Sequence, residues 1–258
     1  MMPLLFLGHG NPMNAIRDSI FVDGFKKIAL QIEKPKAILC ISAHWYIKGS
    51  KVTAMTHPRT IHDFGGFPHE LYQVQYPAPG DPELAQQVMA LNPDIQIEPD
   101  YEWGLDHGTW SVIKHLYPNA DIPVVQLSID YMKPTDAHFE MAKYLLKLRE
   151  EGVLIVGSGN IIHNLRAVDY DNMDQIDYGY QWAIDAHDEI NDLIINKKYD
   201  QLIDYKNESP EIQFAIPSPD HFLPLLYILG LQQENEKVTL FNDHLVGGSL
   251  SMTSLIIT

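Results

Sequence analysis

Five histidines in this chain sit in turns rich in glycine and proline, each beside an apolar run: His9, His44, His107, His163 and His221. Imidazole is the commonest protein ligand for a metal ion and a proton acceptor near neutral pH. His9 follows Leu4-Leu5-Phe6-Leu7-Gly8, and His44 follows Ala37-Ile38-Leu39-Cys40-Ile41-Ser42-Ala43. Both segments read as buried β-strands that deliver a histidine at the carboxyl end. Neighbouring strands would project the two rings into one crevice, where open α/β sheets bind ligands. Singly, each histidine is an ordinary turn residue, so the metal reading rests on convergence. No pair has the spacing of a zinc finger or the two-histidine helix of a zincin. A site built from distant strand ends is open, with positions left for water or substrate.

The remaining motifs have plainer readings. His138 and His187 fall mid-helix, as core or surface residues, and His115 follows a helix whose carboxyl end favours positive charge. His57 and His69 belong to a loop surface and His244 to a late turn, while His62, beside Asp63, is a candidate for touching substrate. Gly157-Ser158-Gly159 lacks the third glycine of a dinucleotide loop and the Lys-Ser/Thr of a P-loop. It is not a nucleophile elbow either, because Val156 stands where the first glycine belongs. Its glycines are expected to turn the chain sharply and aim His163.

Bulk composition narrows the function further. The 258 residues suffice for one large domain, and 34 acidic against 18 basic residues give a formal charge of −16. That balance disfavours nucleic acid and anionic lipid, which need clustered Lys and Arg. The one cysteine, Cys40, rules out a disulfide framework and a thiolate metal site. With no apolar stretch of about 18 residues, no membrane span is expected. No basic leader precedes the first strand, so the expected location is cytoplasmic. A homo-oligomer is left open.

These residues need a scaffold of alternating strands and helices. The pattern predicts strands over 3–7, 36–43, 51–55, 95–98, 123–129, 153–156, 238–241 and 250–257. Helices are predicted over 14–33, 82–91, 135–150, 175–195, 199–205 and 222–229, with Thr109 capping a further helix that reaches His115. A long aromatic loop over 56–80 reads as a lid or pocket wall. The alternation indicates an α/β protein, a single domain over 1–258 with a largely parallel central sheet flanked by helices.

Seven motifs occur in one order: His9-Gly10-Asn11-Pro12, Ser42-Ala43-His44-Trp45, Ile61 to Pro68, Tyr76-Pro77-Ala78-Pro79-Gly80, Leu105 to Trp110, Gly157-Ser158-Gly159-Asn160 with His163-Asn164-Leu165, and Pro219 to Pro224. Together they resemble the DOPA 4,5-dioxygenase type of the class III (LigB-like) extradiol ring-cleavage dioxygenases, across almost the whole chain. The family usually has Ser where this chain has Asn11.

The resemblance implies a mononuclear non-haem metal held by His9, His44 and His221. It makes His163 an acid/base or a further ligand, and His107 a wall of the substrate pocket. Related protocatechuate-type enzymes complete the ligand set with Glu, where this chain has His221. Three imidazoles suit zinc as well as iron, and Zn(II) can occupy such a site as isolated. Catechol cleavage with O2 needs redox-active Fe(II), which is therefore the expected cofactor. The implied product is a ring-opened semialdehyde, with the aromatic loop (Phe64, Phe67, Tyr72) excluding water. Two rival functions use the same residues, a zinc hydrolase and a non-catalytic binding protein like the Memo proteins. Arg59 and Arg166 are the candidates to pair with a substrate carboxylate, against a solvated surface role.

Overall fold

In the computed structural model, which describes residues 1–258, the apolar runs become strands. They are β1 (Leu4–Gly8), β2 (Ala37–Ile47), β3 (Ser50–Thr53), β4 (Ile97–Asp100), β5 (Val124–Asp130), β6 (Val153–Gly159), β7 (Val238–Phe241), β8 (Leu245–Val246), β9 (Leu250–Ser251) and β10 (Ser254–Ile257). Eight form one sheet in the order β4-β3-β5-β2-β6-β1-β10-β7, and β8 and β9 form a separate ribbon. The central strands β5, β2, β6 and β1 are parallel. Strands β10 and β7 extend the sheet antiparallel on one side, and β3 pairs antiparallel with β5 on the other. The architecture is thus the single-domain α/β fold that the pattern predicts, with antiparallel additions outside its parallel centre.

Ten helices cover both faces: α1 (Ile20–Ala29), α2 (His69–Tyr72), α3 (Pro82–Ala90), α4 (His107–Leu116), α5 (Thr135–Ala142), α6 (Leu146–Glu150), α7 (Gln181–Ile195), α8 (Tyr199–Ile203), α9 (Pro210–Ala215) and α10 (Leu223–Gly230). Strand alternation decides which layer each side chain joins. Leu4 and Phe6 pack with α3, α5 and α7 to α10, whereas Leu5 and Leu7 pack with α1 and α4. Parallel strands buried on both faces need apolar residues at every position, which is why β1, β2 and β6 read as continuous hydrophobic runs. Truncating one of these fully buried leucines to alanine costs about 2–5 kcal/mol.

Several differences from the expected elements bear on the site. The helix expected over 14–33 is a 3₁₀ turn (Pro12–Ala15) followed by α1. Asn11 Oδ1 caps the turn through Met13 N, and Ser19 Oγ caps α1 through Val22 N, so two polar side chains start two elements. β2 does not stop at Ala43, and His44 lies inside it. Its register against β5 shifts between Ile41 and Tyr46, an irregularity of the kind that re-aims side chains next to active sites.

α4 starts at His107 because Asp106, not Thr109, is its cap, accepting from Thr109 N at 3.0 Å. Gly157-Ser158-Gly159 is not a sharp turn but the end of β6. A Cβ on Gly157 would meet Pro224 O at 2.6 Å, and one on Gly159 would overlap His221 O. These glycines therefore admit the backbone that enters α10. Beyond the site, the helix expected from 175 begins at Gln181, and a 3₁₀ turn (Lys143–Leu145) interrupts the one over 135–150. The late strand over 250–257 splits into β9 and β10.

Candidate active site

All five turn histidines line one cleft of about 510 Å³ at the carboxyl ends of the parallel strands. His9 leaves β1 with its backbone N–H bonded to Gly159 O at 3.1 Å, tying it to the end of β6. His44 comes from the irregular part of β2, and His107 is the first residue of α4. His163 follows β6, its backbone N–H donating to Ala215 O at 3.0 Å. His221 stands two residues before α10, and its carbonyl accepts from Asn160 N at 3.0 Å. Strand ends and a helix start thus fix the rings with few free dihedrals.

At His9 the hydrogen bonds decide which ring nitrogen is bare. Ser158 Oγ donates to the Gly108 carbonyl at 2.5 Å, so its hydrogen is committed. At His9 Nδ1, 3.0 Å away, it can only accept, and Nδ1 carries the proton. His221 Nδ1 bonds the Asp220 carboxylate. His44 Nδ1 lies 3.5 Å from Asp63 Oδ2. Carboxylates only accept at neutral pH, so His221 Nδ1 carries a proton, and Asp63 faces the Nδ1 side of His44. His9 and His44 face each other through their Nε2 atoms, 3.2 Å apart and within hydrogen-bond distance. A cation shared by the two rings would replace that contact, and a carboxylate or hydroxyl behind each ring is the usual support of a metal-binding histidine.

The ligating atoms fall into two tight groups, His9–His44–His107 and His163–Asp220–His221. Ring separations sort them further. Imidazoles sharing one ion through bonds of about 2.1 Å have ring centres about 5 Å apart. The His9–His44, His9–His221 and His44–His221 centres are separated by 5.0, 5.2 and 5.0 Å. His107 is 3.9 Å from His44 and His163 is 3.6 Å from His221, closer than that spacing. The His9, His44 and His221 centres form a nearly equilateral triangle of that spacing, with His107 and His163 packed against it.

The electrostatics follow from burial. Desolvation, then the neighbouring imidazoles, hold His9 and His44 well below the ordinary histidine range. Burial and then His221 push the His163 pKa down to about 3. All three are neutral near pH 7. Burial raises Asp63, but its bonds to His107 outweigh this and lower it. Asp63 Oδ1 accepts from His107 N at 2.8 Å and lies 3.0 Å from His107 Nδ1, out of line with the ring N–H. Burial, then Asp63, raises Asp106, which binds Ser42 Oγ at 2.7 Å and Gln126 Nε2 at 2.5 Å.

The aromatic loop reaches the cleft through Phe67, while Phe64 meets His107 edge-on at 5.4 Å and Tyr72 packs behind Phe64. His62 does not line the cleft; it donates to Val74 O at 2.9 Å and braces the loop. His115 lies in the last turn of α4, as expected, and donates to Asn14 O at 2.9 Å, and His138 is a core residue bonded to Tyr227 Oη. His57 and His69 are exposed, and His244 pairs with Asp177. Arg59 Nε braces the Trp103 carbonyl, and Arg166 is exposed outside the cleft lining. Sequence reading missed Asp63, Ser158 and Asp220 as ring partners. Only Asp220, adjacent to His221, carried a local signal.

The family described as the catalytic LigB subunit of aromatic ring-opening dioxygenase matches residues 3–252. The chain is 44% identical to a 4,5-DOPA dioxygenase extradiol of Escherichia coli K12, covering 98% of this chain and 94% of that protein. A 4,5-DOPA dioxygenase extradiol of Beta vulgaris is 37% identical, over 96% of this chain and 94% of that one. A crystal structure of an uncharacterized Escherichia coli K12 protein superposes with a TM-score of 0.87 at 39% identity, covering all of both chains.

Proposed function

This chain belongs to the LigB family of aromatic ring-opening dioxygenases and is an extradiol ring-cleavage dioxygenase, and from that premise we propose that it opens a DOPA-like catechol on a metal held by His9, His44 and His221. The observation that carries the proposal is the set of three rings, centres 5.0 to 5.2 Å apart, with each Nδ1 turned to Ser158, Asp63 or Asp220. Fe(II) bound there supplies the redox chemistry by which O2 cuts the ring bond beside the diol, which Zn(II), without redox chemistry, cannot do.

The protein's own groups then have separate tasks. His163, kept neutral by burial, accepts a proton from a catechol hydroxyl and returns it later as an acid. His107, anchored through Asp63, hydrogen-bonds the substrate from the cleft wall. Phe67 and Leu165 supply apolar surface that orients an aromatic ring and excludes water. No helix is long and apolar enough to cross a membrane. A cytoplasmic location is part of the proposal.

The test is to load the protein anaerobically with Fe(II), add a panel of catechols and then O2, and follow the yellow semialdehyde. Turnover with Fe(II) and none with Zn(II) is expected. Hydrolysis by the Zn(II) form without catechol cleavage by the Fe(II) form would overturn the proposal.

A further inference from the structure

We propose that the cleft continues past Asn11 and Met173 into a second cavity, where Arg17 binds a carboxylate on the substrate's side chain. The inference rests on reading the first cleft as a catechol site. The second cavity has a volume of about 390 Å³, and Asn11 and Met173 line both spaces. A catechol seated against the histidines can therefore carry its substituent into the neighbouring space.

Arg17 is the only Lys or Arg lining either cavity. In a chain of formal charge −16, an anionic side chain finds no other permanent positive charge there. The guanidinium is incompletely engaged: its ion pair with Asp174 is 3.7 Å long, and both side chains are more than half exposed. Exposed pairs of this kind contribute little, so exchanging Asp174 for a substrate carboxylate costs little. Arginine also presents a planar fork that matches a carboxylate with two parallel hydrogen bonds. Asp18 and Asp174, in the same cavity, offer partners for an ammonium group. The ligand class is a catechol with a carboxylated side chain, an α-amino acid included.

The turn bearing Arg17 is held in place. Arg17 N donates to Met13 O at 3.0 Å. From α4, Lys114 Nζ donates to Ala15 O at 2.6 Å and His115 Nε2 to Asn14 O at 2.9 Å. The same helix begins with His107 in the cleft. One rigid element therefore sets the spacing between the histidine cluster and the arginine.

The experiment measures kcat and KM of the Fe(II) enzyme, as wild type, Arg17→Ala and Arg17→Lys, on four catechols. These are 3,4-dihydroxyphenylalanine, 3,4-dihydroxyphenylpropionate, dopamine and 4-methylcatechol. For each carboxylated substrate, the ratio of its kcat/KM to that of 4-methylcatechol is expected to fall at least tenfold in R17A, mainly through KM. R17K is expected to recover part of the loss, and the dopamine ratio to change less than twofold. Ratios unchanged in R17A, or an equal fall for dopamine, would overturn the assignment of Arg17. A wild-type enzyme that cleaves none of the four would instead overturn the catechol reading, and this inference with it.

Discussion

The rings of His163 and His221 lie 3.6 Å apart and within 9° of parallel. Stacked rings present their edges side by side, so His163 sits over a proposed metal ligand, and its proposed part is proton transfer rather than holding the ion. His163→Ala is expected to keep its metal and lose about 10²- to 10⁴-fold in kcat, the usual worth of a positioned proton-transfer group. Metal content by atomic emission, measured beside steady-state rates, checks this. Loss of metal in step with activity would make His163 a ligand first.

Ser158 is the hinge between His9 and the main chain of α4, because its hydroxyl donates to Gly108 and accepts from His9. Ser158→Ala leaves a buried Nδ1–H without its acceptor and frees the ring to change tautomer. Metal affinity is expected to fall about 10- to 100-fold, as for other outer partners of ligating histidines. A competitive metal titration against a chromogenic chelator reads the change, and an unaltered affinity would remove Ser158 from the site.

Outside the cleft lining, a different histidine ties stability to pH. His187 Nε2 lies 2.8 Å from Asp243 Oδ1, beside Asn191 and Thr253. Burial disfavours charge on His187, but Asp243 outweighs it and raises the pKa above the ordinary 6.5. A group protonated more readily in the fold stabilises it fully below the unfolded value, and that stabilisation fades as pH climbs through the folded value. Asp243 is depressed below 3.8, so its own contribution is present above that value and fades only as pH falls through the folded one. From about pH 6.5 upward, wild type should therefore lose its stability advantage over His187→Gln. Urea unfolding of both proteins between pH 5.5 and 8.5 tests the sign; a gap constant across that range would contradict it.

The strands and the histidines were legible because both write local signals. The runs Leu4 to Leu7 and Ala37 to Ile41, just before Gly8-His9 and Ser42-Ala43-His44, are apolar at every position, as two-sided burial demands. What sequence could not yield is contact across long separations. Asp63 meets His44 and His107, 19 and 44 residues away, only because the loop folds back over α4. Gly159 is small for the sake of His221, 62 residues later. The extension of β2 through His44 depends on its register with β5, and Asp106 outcompetes Thr109 as a cap through a buried network with Ser42 and Gln126. Arg17 was passed over in favour of Arg59 and Arg166 because nothing near it in sequence marks the cavity it lines.

Whether one ion is held by residues 9, 44 and 221 is tested most directly by equilibrium metal stoichiometry on single alanine variants. The ring separations predict about one metal ion per chain for wild type, His107→Ala and His163→Ala, and near-complete loss for His9→Ala, His44→Ala and His221→Ala. Full occupancy in His221→Ala together with loss in His107→Ala would move the ion to the other side of His44 and contradict the site as described.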